Sequence, residues 1–499
     1  MKKLLLFIAL ISFGITQAQI VNIPDANFKN ALLNYDPIID TNNDNEIQIS
    51  EAEAYTGGLF YVNYELVNAS FGVSDCEALY PNGSQDYYDC IDLITNDTFL
   101  IQSVITDLTG LEAFINVTHI ALEYVSHTNS LIISNFNNLE TFKIVFTDVI
   151  YDETFPTNIN LSNNANLKKV TINNANDYDP FFYGLFYNLL AEISIPNLNI
   201  SNSNNLELLD VKGLNIPSID VYDKLELLDF DCSNNNLQNI DVSQSINLTN
   251  LNCNFNDLTN LNVNNNINLT NLNCSFNDLT NLNVNNNTNL INLNVSNNDL
   301  TNLNVNNNYL LKSLRFRSNL ISEIDLNDII DLRNLNCIDN LLNTINISNF
   351  NNFNSINCSN NPNLSYLNLK NGNNINFNVP NGANFGFGNL PNLEIVCVDD
   401  INSDLVMRIN NDVGHSVNYT EYCSLEPALS NQINGNSKSD INNNGCDATD
   451  AFISNLMILS NNGTDNFATF TQTNGEYLLY TNEGDFTTEV TTNLPNILP

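Results

Sequence analysis

The chain has 499 residues, with 55 acidic and 15 basic side chains and a formal net charge of −40 at pH 7. Nucleic acids and anionic lipids bind to basic faces, so this charge argues against both as partners. It is instead typical of a solvent-facing extracellular protein that recruits cations.

Residues 1–18 have the pattern of a secretory signal peptide. Lys2 and Lys3 precede an apolar run from Leu4 to Ile15, which ends before Gln19. The run is too short to span a membrane, and no later stretch reaches the roughly 18 apolar residues that a spanning helix needs. We therefore expect a protein that is secreted or held at the outer cell surface, without a transmembrane segment.

Residues 19–54 are predicted to form an N-terminal cap. A short helix begins near Pro24, because Phe28, Ala31 and Leu32 recur at helical spacing. The loop after it resembles an EF-hand calcium loop, with oxygen ligands at positions 1, 3, 5, 7, 9 and 12: Asp40, Asn42, Asp44, Glu46 (through its carbonyl), Gln48 and Glu51. Asn45 replaces the usual Gly at position 6, and Asn also reaches the left-handed region. The loop predicts a structural calcium ion; an acidic capping turn without metal is the alternative.

Residues 55–104 do not fit the repeat that follows and are interpreted as an inserted loop subdomain. They contain Cys76 and Cys90. In an exported protein the simplest interpretation is a disulfide that closes a loop of about 15 residues. Such a bridge would contribute on the order of 3 kcal/mol to stability.

One pattern returns every 21 residues from Leu206 to about Leu369. Its leading column is Leu206, Leu227, Leu248, Leu269, Leu290, Leu311, Leu332 and Phe353. A column of asparagines follows at Asn235, Asn256, Asn277, Asn298, Asn319, Asn340 and Asn361. The unit Leu248-x-x-Leu251-x-Cys253-x-x-Asn256-x-Leu258 fits the leucine-rich-repeat signature, whose period range includes 21 residues. The sequence therefore predicts stacked coils that bury a continuous core.

Each unit also contains a half-repeat, because residues 258–266 repeat the spacing of residues 248–256. We therefore expect two short strands on opposite sides of a thin core. Alternation sends Leu251 and Cys253 inward and their asparagine neighbours outward. An Asn at the tight turn tolerates left-handed geometry and can hydrogen-bond backbone groups that the turn leaves unpaired.

The unit LxxLxCxxNxLTxLxVxxNxx resembles the 21-residue leucine-rich repeats of secreted and surface proteins from Bacteroidetes, which are related in architecture to internalins. The resemblance covers about residues 105–424. It implies a solenoid over residues 105–400 and a cap over residues 401–424 that is closed by a disulfide between Cys397 and Cys423. Before the regular repeats, coils are expected to start near Val117, Leu139, Leu167 and Leu189.

Residues 425–499 change to Gly, Asn and short alternating strands. Their opening resembles the start of small β-sandwich modules on bacterial surface proteins, some of which hold calcium there. The candidate ligands are Asp440, Asn442, Asn444, Asp447 and Asp450. Their spacing departs from an EF-hand, so a turn without metal is the alternative. The sequence reaches Pro499 without a recognisable tail for type IX export, so we expect a truncated chain or a lost sorting signal.

The sequence contains few signs of catalytic chemistry. His119, His127 and His415 stand outside any HExxH motif, and neither Gly-x-Ser-x-Gly nor a phosphate-binding glycine loop occurs. Carboxylate pairs could serve a glycosidase, but this many acids supply such pairs by accident. We therefore predict that the protein is not an enzyme.

The cysteines of the repeats share one column with Val and Phe, so they are interpreted as buried hydrophobic residues rather than metal ligands or disulfides. These are Cys232, Cys253, Cys274, Cys337 and Cys358.

Four basic residues lie within 22 positions: Lys312, Arg315, Arg317 and Arg333. Arg315 and Arg317 are expected to point outward from one strand, while Lys312 and Arg333 share a column. One basic spot on an acidic protein could hold a sulfated or uronic-acid glycan. The alternative is local neutralisation by Glu323, Asp325, Asp328 and Asp331.

A second candidate surface is an aromatic insert between coils, with Tyr178, Phe181, Phe182 and Tyr183 among carboxylates. Projecting aromatic residues suit sugar stacking or a protein hot spot. Packing of the insert against its own coil is the alternative.

We therefore predict a mainly β protein: a leucine-rich-repeat solenoid with a small helical EF-hand-like N-terminal cap and a C-terminal β-sandwich-like module. The resemblance implies non-enzymatic adhesion to, or recognition of, extracellular protein or polysaccharide. A structural spacer that presents a C-terminal domain, and an accessory glycan-binding component of a degradative system, are the alternatives.

Overall fold

The structure, a computed structural model, describes residues 19–62, 105–125, 130–146, 155–174, 193–372, 385–420 and 431–440, and residues 450–490 except 455, 464–465, 473 and 482–483. The chain divides into two compact units, Met1–Leu269 and Thr270–Pro499. In the described ranges, every helix is too short or too polar to cross a bilayer.

The helices lie near the ends of the repeat region. Within the described residues they are α1 (Ala26–Leu33), α2 (Ile49–Ala54) and α3 (Asp404–Val413), with a 3-10 turn at Leu111–Ala113. The predicted first helix is confirmed: the Asp25 side chain caps α1 by accepting hydrogen bonds from the backbone N–H groups of Asn27 and Phe28, and Phe28 and Leu32 are buried. Helix α3 was not predicted; it buries Leu405, Val406 and Ile409.

The first unit contains ten described strands: β1 (Gly58–Val62), β2 (His119–Val125), β3 (Leu131–Ile132), β4 (Thr141–Phe146), β5 (Asn158–Asn160), β6 (Lys169–Asn174), β7 (Asn197–Asn199), β8 (Leu208–Asp210), β9 (Asp229–Asp231) and β10 (Asn250–Asn252). Strands β1, β2, β4, β6, β8, β9 and β10 form parallel neighbours in that order, and β3, β5 and β7 form a second parallel sheet. Strand β1 thus places Gly58–Val62, from the segment interpreted as an insertion, in the repeat sheet.

The expected coil start near Leu189 is wrong. Strand β6 pairs directly with β8, with Val170 opposite Leu209. Strand β7 instead pairs with β5 in the second sheet, with Ile159 opposite Leu198. The residues after 192 therefore form the far side of the coil that contains β6, and Leu189 itself lies outside the described residues.

The second unit begins with parallel strands β11 (Asn271–Asn273), β12 (Asn292–Asn294), β13 (Ser313–Arg315), β14 (Asn334–Asn336) and β16 (Ser355–Asn357), which pair in that order. Its other parallel sheet contains β15 (Thr344–Asn346), β17 (Tyr366–Asn368), β18 (Ile395–Cys397) and β19 (Asn418–Thr420). Antiparallel pairing joins β20 (Asn431–Asn436) to β25 (Glu476–Thr481), β21 (Lys438–Ser439) to β22 (Ala451–Phe452), and β23 (Met457–Asn461) to both β24 (Asn466–Phe470) and β26 (Thr487–Val490).

The 21-residue period sets the strand register. Leu314 lies opposite Leu293 on one side and Leu335 on the other, so each coil adds one strand in register. All three leucines are buried, whereas their strand neighbours face outward, in keeping with the period-2 alternation of a strand. The predicted repeat core is therefore confirmed.

The half-repeat has the predicted core but not the predicted strand in the middle coils. Val263 and Asn266 are fully buried, as the half-repeat requires. Between residues 211 and 330, however, this side of the coils carries no described strand. Side chains bond the backbone on this side: Asn266 Nδ2 donates to the carbonyl oxygens of Val242 and Ser245, at 2.9 and 2.8 Å.

The asparagine column hydrogen-bonds the backbone, as predicted. Asn298 Nδ2 donates to the carbonyl oxygens of Cys274 and Val295 at 3.1 and 3.0 Å, and its Oδ1 accepts from the N–H of Leu279 at 3.0 Å. The left-handed residue of the turn is not the column asparagine, as expected, but the residue before it: Asn297, with φ 54°, precedes Asn298. The left-handed residue turns the chain, so that the next side chain enters the core.

The last coils bury both faces of their strands, because the C-terminal strands pack on them. All three residues of β17 and of β18 are buried. Tyr366, Ile395 and Cys397 form one cluster with Met457 of β23 and Ala468 of β24. At these outward positions the middle coils carry asparagine, so the apolar replacements mark a covered surface.

Candidate functional site

The exposed guanidinium of Arg315 lies at the centre of the predicted basic group. It ends β13, in register between Asn294 and Asn336 of the neighbouring strands. Because Leu314 and Phe316 are buried on either side, Arg315 and Arg317 face outward together. This part of the prediction is confirmed.

Lys312 and Arg333 occupy the same column in adjacent coils, as predicted. Each lies one position before its strand, and the backbone N–H of Arg333 donates to the carbonyl of Lys312 at 2.9 Å. Lys312 is exposed and Arg333 is half-buried. We call Lys312, Arg315, Arg317 and Arg333 the basic surface.

Neutralisation of the basic surface is partial. Arg333 donates from Nε and Nη2 to Asp331 Oδ2, at 3.0 and 2.7 Å. Hydrogen bonds from Asn352 and then from Arg333 hold the pKa of Asp331 below its usual value. Arg317 lies 4.0 Å from Asp339, a partner that sequence reasoning missed. Exposed pairs of this kind contribute about 0–1 kcal/mol, so a ligand can replace them.

The other predicted neutralising residues do not contribute. Within the described residues, Glu323, Asp325 and Asp328 form no ion pair with the basic surface. In the same part of the chain, neither Lys312 nor Arg315 has a carboxylate partner within 4.0 Å. Two cations therefore remain available at the surface of a chain whose net charge is −40.

An apolar group beside the basic surface was missed. Tyr309, Leu310 and Ile330 are 42%, 48% and 70% exposed. The N–H of Ile330 donates to the carbonyl of Tyr309 at 3.1 Å, so these residues lie in adjacent coils. We call the three residues the apolar edge. The signal was present in the sequence for Leu310, because the same position of the coils before and after it carries Asn289 and Asp331. Tyr309 and Ile330 share one column, in which Ile246 and Ile267 are also exposed.

The N-terminal loop has the donor types and the backbone turn that a calcium ion requires. Asn45 has φ 64°, as predicted for the residue that replaces Gly. The loop pairs with the start of the chain, since the N–H of Val21 donates to the carbonyl of Ile47 at 2.8 Å and Ile20 bridges Gln48.

The carboxylates of this loop bond to the loop itself. Glu51 Oε1 accepts from the backbone N–H and the hydroxyl of Thr41, at 2.8 and 2.7 Å. The two oxygens of Asp40 accept from the N–H groups of Asp44 and Asn45. Across the described chain, no three His, Cys, Asp or Glu side chains converge into a group that could hold a metal ion. The donor set fits calcium in type and spacing, and the side chains would have to turn to bind it.

Several predicted site residues cannot be placed. The ligands Asn442, Asn444 and Asp447, the aromatic residues Tyr178, Phe181, Phe182 and Tyr183, and the cysteines Cys76, Cys90 and Cys423 lie outside the described residues. Asp440 and Asp450 are described, and Asp450 is buried. The Cys397 sulfur lies 3.0 Å from the Tyr366 hydroxyl, and its bridge to Cys423 stays a prediction.

The cysteine column is a set of buried, reduced thiols, as predicted. Burial raises the pKa of Cys274 and of Cys358 to about 12, so neither is a ready nucleophile or metal ligand. The two described histidines have structural contacts: His119 Nδ1 lies 2.7 Å from the Thr141 hydroxyl, and His415 Nε2 lies 2.9 Å from the Leu393 carbonyl.

Comparison with known proteins supports the fold. No protein family model and no curated protein sequence matches the chain. An internalin of Listeria monocytogenes, InlF, is similar in structure, with 15% identity over 82% of this chain and 99% of that chain, and a TM-score of 0.50. The functional domain of InlJ from the same organism has 22% identity over 76% of this chain and 88% of its own length, with a TM-score of 0.38. A leucine-rich-repeat protein of Bacteroides eggerthii has 16% identity over 52% of this chain and 45% of that chain, with a TM-score of 0.33.

The similarity to InlF agrees with two features of this chain, the register of its parallel strands and its 21-residue columns. A sequence identity of 15% with a TM-score of 0.50 supports a shared fold and not a shared function. The other two similarities, with TM-scores of 0.38 and 0.33, are not used as support for the fold. The chain has a leucine-rich-repeat fold.

Proposed function

We propose that the protein is a non-enzymatic binding or adhesion protein, secreted or displayed at the outer cell surface, that recognises an extracellular protein or polysaccharide. The observation that carries the proposal is the basic surface. Four cations gather on adjacent coils of a strongly acidic chain, and Lys312 and Arg315 have no ion-pair partner among the described carboxylates. A fold needs no such group, because unpaired cations add nothing to the core.

Rigid positioning supports this role. Arg315 belongs to a strand held on both sides by main-chain pairing, so the guanidinium starts from a fixed backbone. A planar guanidinium presents paired donors to carboxylate or sulfate oxygens, which a lysine cannot do. Preorganisation of this kind lowers the entropy that binding costs.

A calcium ion in the loop of residues 40–51 is a second part of the proposal. The ion would hold the N-terminal cap against the first coils rather than act on the ligand. Support comes from the donor spacing, from the left-handed Asn45 and from the pairing of Val21 with Ile47.

A structural spacer is the second candidate function, and one observation favours it. The C-terminal strands share a buried cluster with Tyr366 and Ile395 of the last coils, which would hold the module at a fixed place. A spacer needs this connection but has no use for the basic surface.

A binding screen separates the two functions. The purified protein is tested against extracellular polysaccharides and surface proteins, with calcium and with a chelator. Saturable binding that falls at least about tenfold in the variant Arg315→Ala/Arg317→Ala supports recognition, since each charged hydrogen bond contributes about 1.5–3 kcal/mol.

The matched control is Lys143→Ala/Lys169→Ala, which removes the same charge from strands β4 and β6 of the other unit. It should leave binding unchanged. Equal binding by all three proteins would reject the basic surface as the site, and no saturable binding at all would favour the spacer.

A further inference from the structure

The apolar edge and the basic surface are continuous along the chain. Leu310 lies two residues before Lys312, and Ile330 lies three residues before Arg333. Two residues of extended chain span at most about 7 Å, so one ligand can contact both groups. The buried Leu311 and Leu332 lie between them and fix the backbone on which both groups stand.

The exposed aliphatic side chains of Leu310 and Ile330 favour a protein ligand over a polysaccharide. Ile330 is 70% exposed and, like Leu310, has no group that can bond to a sugar hydroxyl. Such side chains gain free energy only when a partner covers them with apolar surface. An anionic polysaccharide offers charge to the cations but little that favours Leu or Ile.

We propose that the apolar edge and the basic surface together bind an acidic protein segment that carries aliphatic side chains. The inference rests on the proposed binding function and names the class of its ligand. Carboxylates of the segment pair with Lys312 and Arg315, and its aliphatic side chains cover Leu310 and Ile330. Charge complementarity commits the surface to an acidic partner, because Lys312 and Arg315 have no carboxylate within 4.0 Å among the described residues.

Three probes test the inference. The first is a short peptide of Glu, Leu and Gly, and the second is the same peptide with Ser in place of every Leu. The third is chondroitin sulfate, a sulfated polysaccharide. Binding to the full-length protein is measured by titration calorimetry at physiological salt. We expect the Leu peptide to bind about tenfold more tightly than the Ser peptide.

The variant Leu310→Asn/Ile330→Asn should make the two peptides bind equally. The control variant is Met407→Asn, which replaces an apolar residue of helix α3 that is 57% exposed, and it should keep the difference. All these positions are exposed, so melting midpoints should stay within a degree or two of wild type.

The outcomes separate this inference from the proposed function. Equal binding of the two peptides to the wild-type protein overturns the inference, as does a preference that survives Leu310→Asn/Ile330→Asn. Chondroitin sulfate binding that is lost in Arg315→Ala/Arg317→Ala but unchanged in Leu310→Asn/Ile330→Asn also overturns it, while the proposed function stands. If no probe binds, the inference fails. If the broader screen is also negative, the proposed binding function fails with it.

Discussion

The ring of Tyr366 packs edge-on against the ring of Phe470, with centroids 4.8 Å apart and planes at 74°. Tyr366 belongs to the last coils and Phe470 to the C-terminal strands, so this contact joins two segments that the sequence suggested were separate modules. Tyr366 belongs to the buried cluster that contains Ile395 and Met457, and the partly buried Phe470 packs against it. The last coils and the C-terminal strands should therefore unfold together.

Tyr366→Ala should destabilise the second unit by about 3–5 kcal/mol, because the change leaves a cavity where a fully buried ring packs. The expected result is one cooperative transition at lower urea concentration, measured by fluorescence and circular dichroism. Tyr366→Phe keeps the ring and removes the hydroxyl beside Cys397, so it should cost much less. Independent unfolding of the C-terminal strands, with the coils unaffected by Tyr366→Ala, would contradict this account.

Asn298→Leu should cost several kcal/mol. It removes the donors to Cys274 and Val295 and the acceptor for Leu279, and each buried backbone group left without a partner costs about 1–3 kcal/mol. Asn302→Leu, an exposed asparagine four positions later, is the control and should be nearly neutral. Chemical denaturation measures both, and equal midpoints for the two variants would show that the asparagine column does not support the stack.

Alkaline pH should destabilise the stack through its buried thiols. Burial raises the pKa of Cys274 and Cys358 from 9.0 to about 12, so both stay protonated in the folded state while unfolded thiols ionise. Their contribution to stability is complete below pH 9 and declines as the pH rises towards 12, by about 2 kcal/mol per thiol near pH 10.5.

The variant Cys274→Val/Cys358→Val tests this origin, since Val295 occupies the same column. Its urea midpoint should fall less than that of the wild type between about pH 8.5 and pH 10.5. An identical fall in both proteins would assign the pH dependence to other groups. In the wild type, a thiol-reactive dye should label the column only after denaturation.

Calcium should raise the melting midpoint of the N-terminal cap. If the loop binds the ion, stabilisation reaches about 2.7 kcal/mol at a calcium concentration near 100 times Kd. Asp44→Asn keeps an oxygen that can accept from the N–H of Glu46 but removes the charge, so it should abolish the calcium increment and change the calcium-free midpoint little. Asp36→Asn, an exposed acid outside the loop, is the control. Equal midpoints with calcium and with chelator would leave the loop as an acidic capping turn.

The repeat core could be predicted because one period governs it: any coil predicts the buried leucines, the cysteine column and the asparagine hydrogen bonds of the next. Departures from the period were harder to predict. Leu310 stands where the coils before and after it carry Asn289 and Asp331, and the change leaves the core untouched, so the repeat pattern gives no sign of it. The partner of Arg317 was missed because Asp339 lies in the next coil, 22 positions away in sequence.

In the middle coils the half-repeat predicts a second strand that the structure does not contain among its described residues. Val263 and Asn266 have the spacing of a second strand and are buried, yet no described strand forms there. The Asn266 side chain bonds a neighbouring carbonyl just as Asn298 does beside strands β11 and β12. Burial periodicity predicts which residues enter the core and leaves open how the backbone is hydrogen-bonded. Helix α3 was missed because its buried residues Leu405, Val406 and Ile409 belong to no column of the repeat.

The central claim is that the basic surface is the binding site, and the most direct test compares two variants that change it in opposite ways. Arg315→Ala/Arg317→Ala removes cations, whereas Asp331→Asn weakens the competing ion pair of Arg333. Against any acidic ligand found in the screen, titration should give a Kd at least about tenfold higher for the first variant and a severalfold lower Kd for the second. If both variants bind as the wild type does, the basic surface is not the binding site.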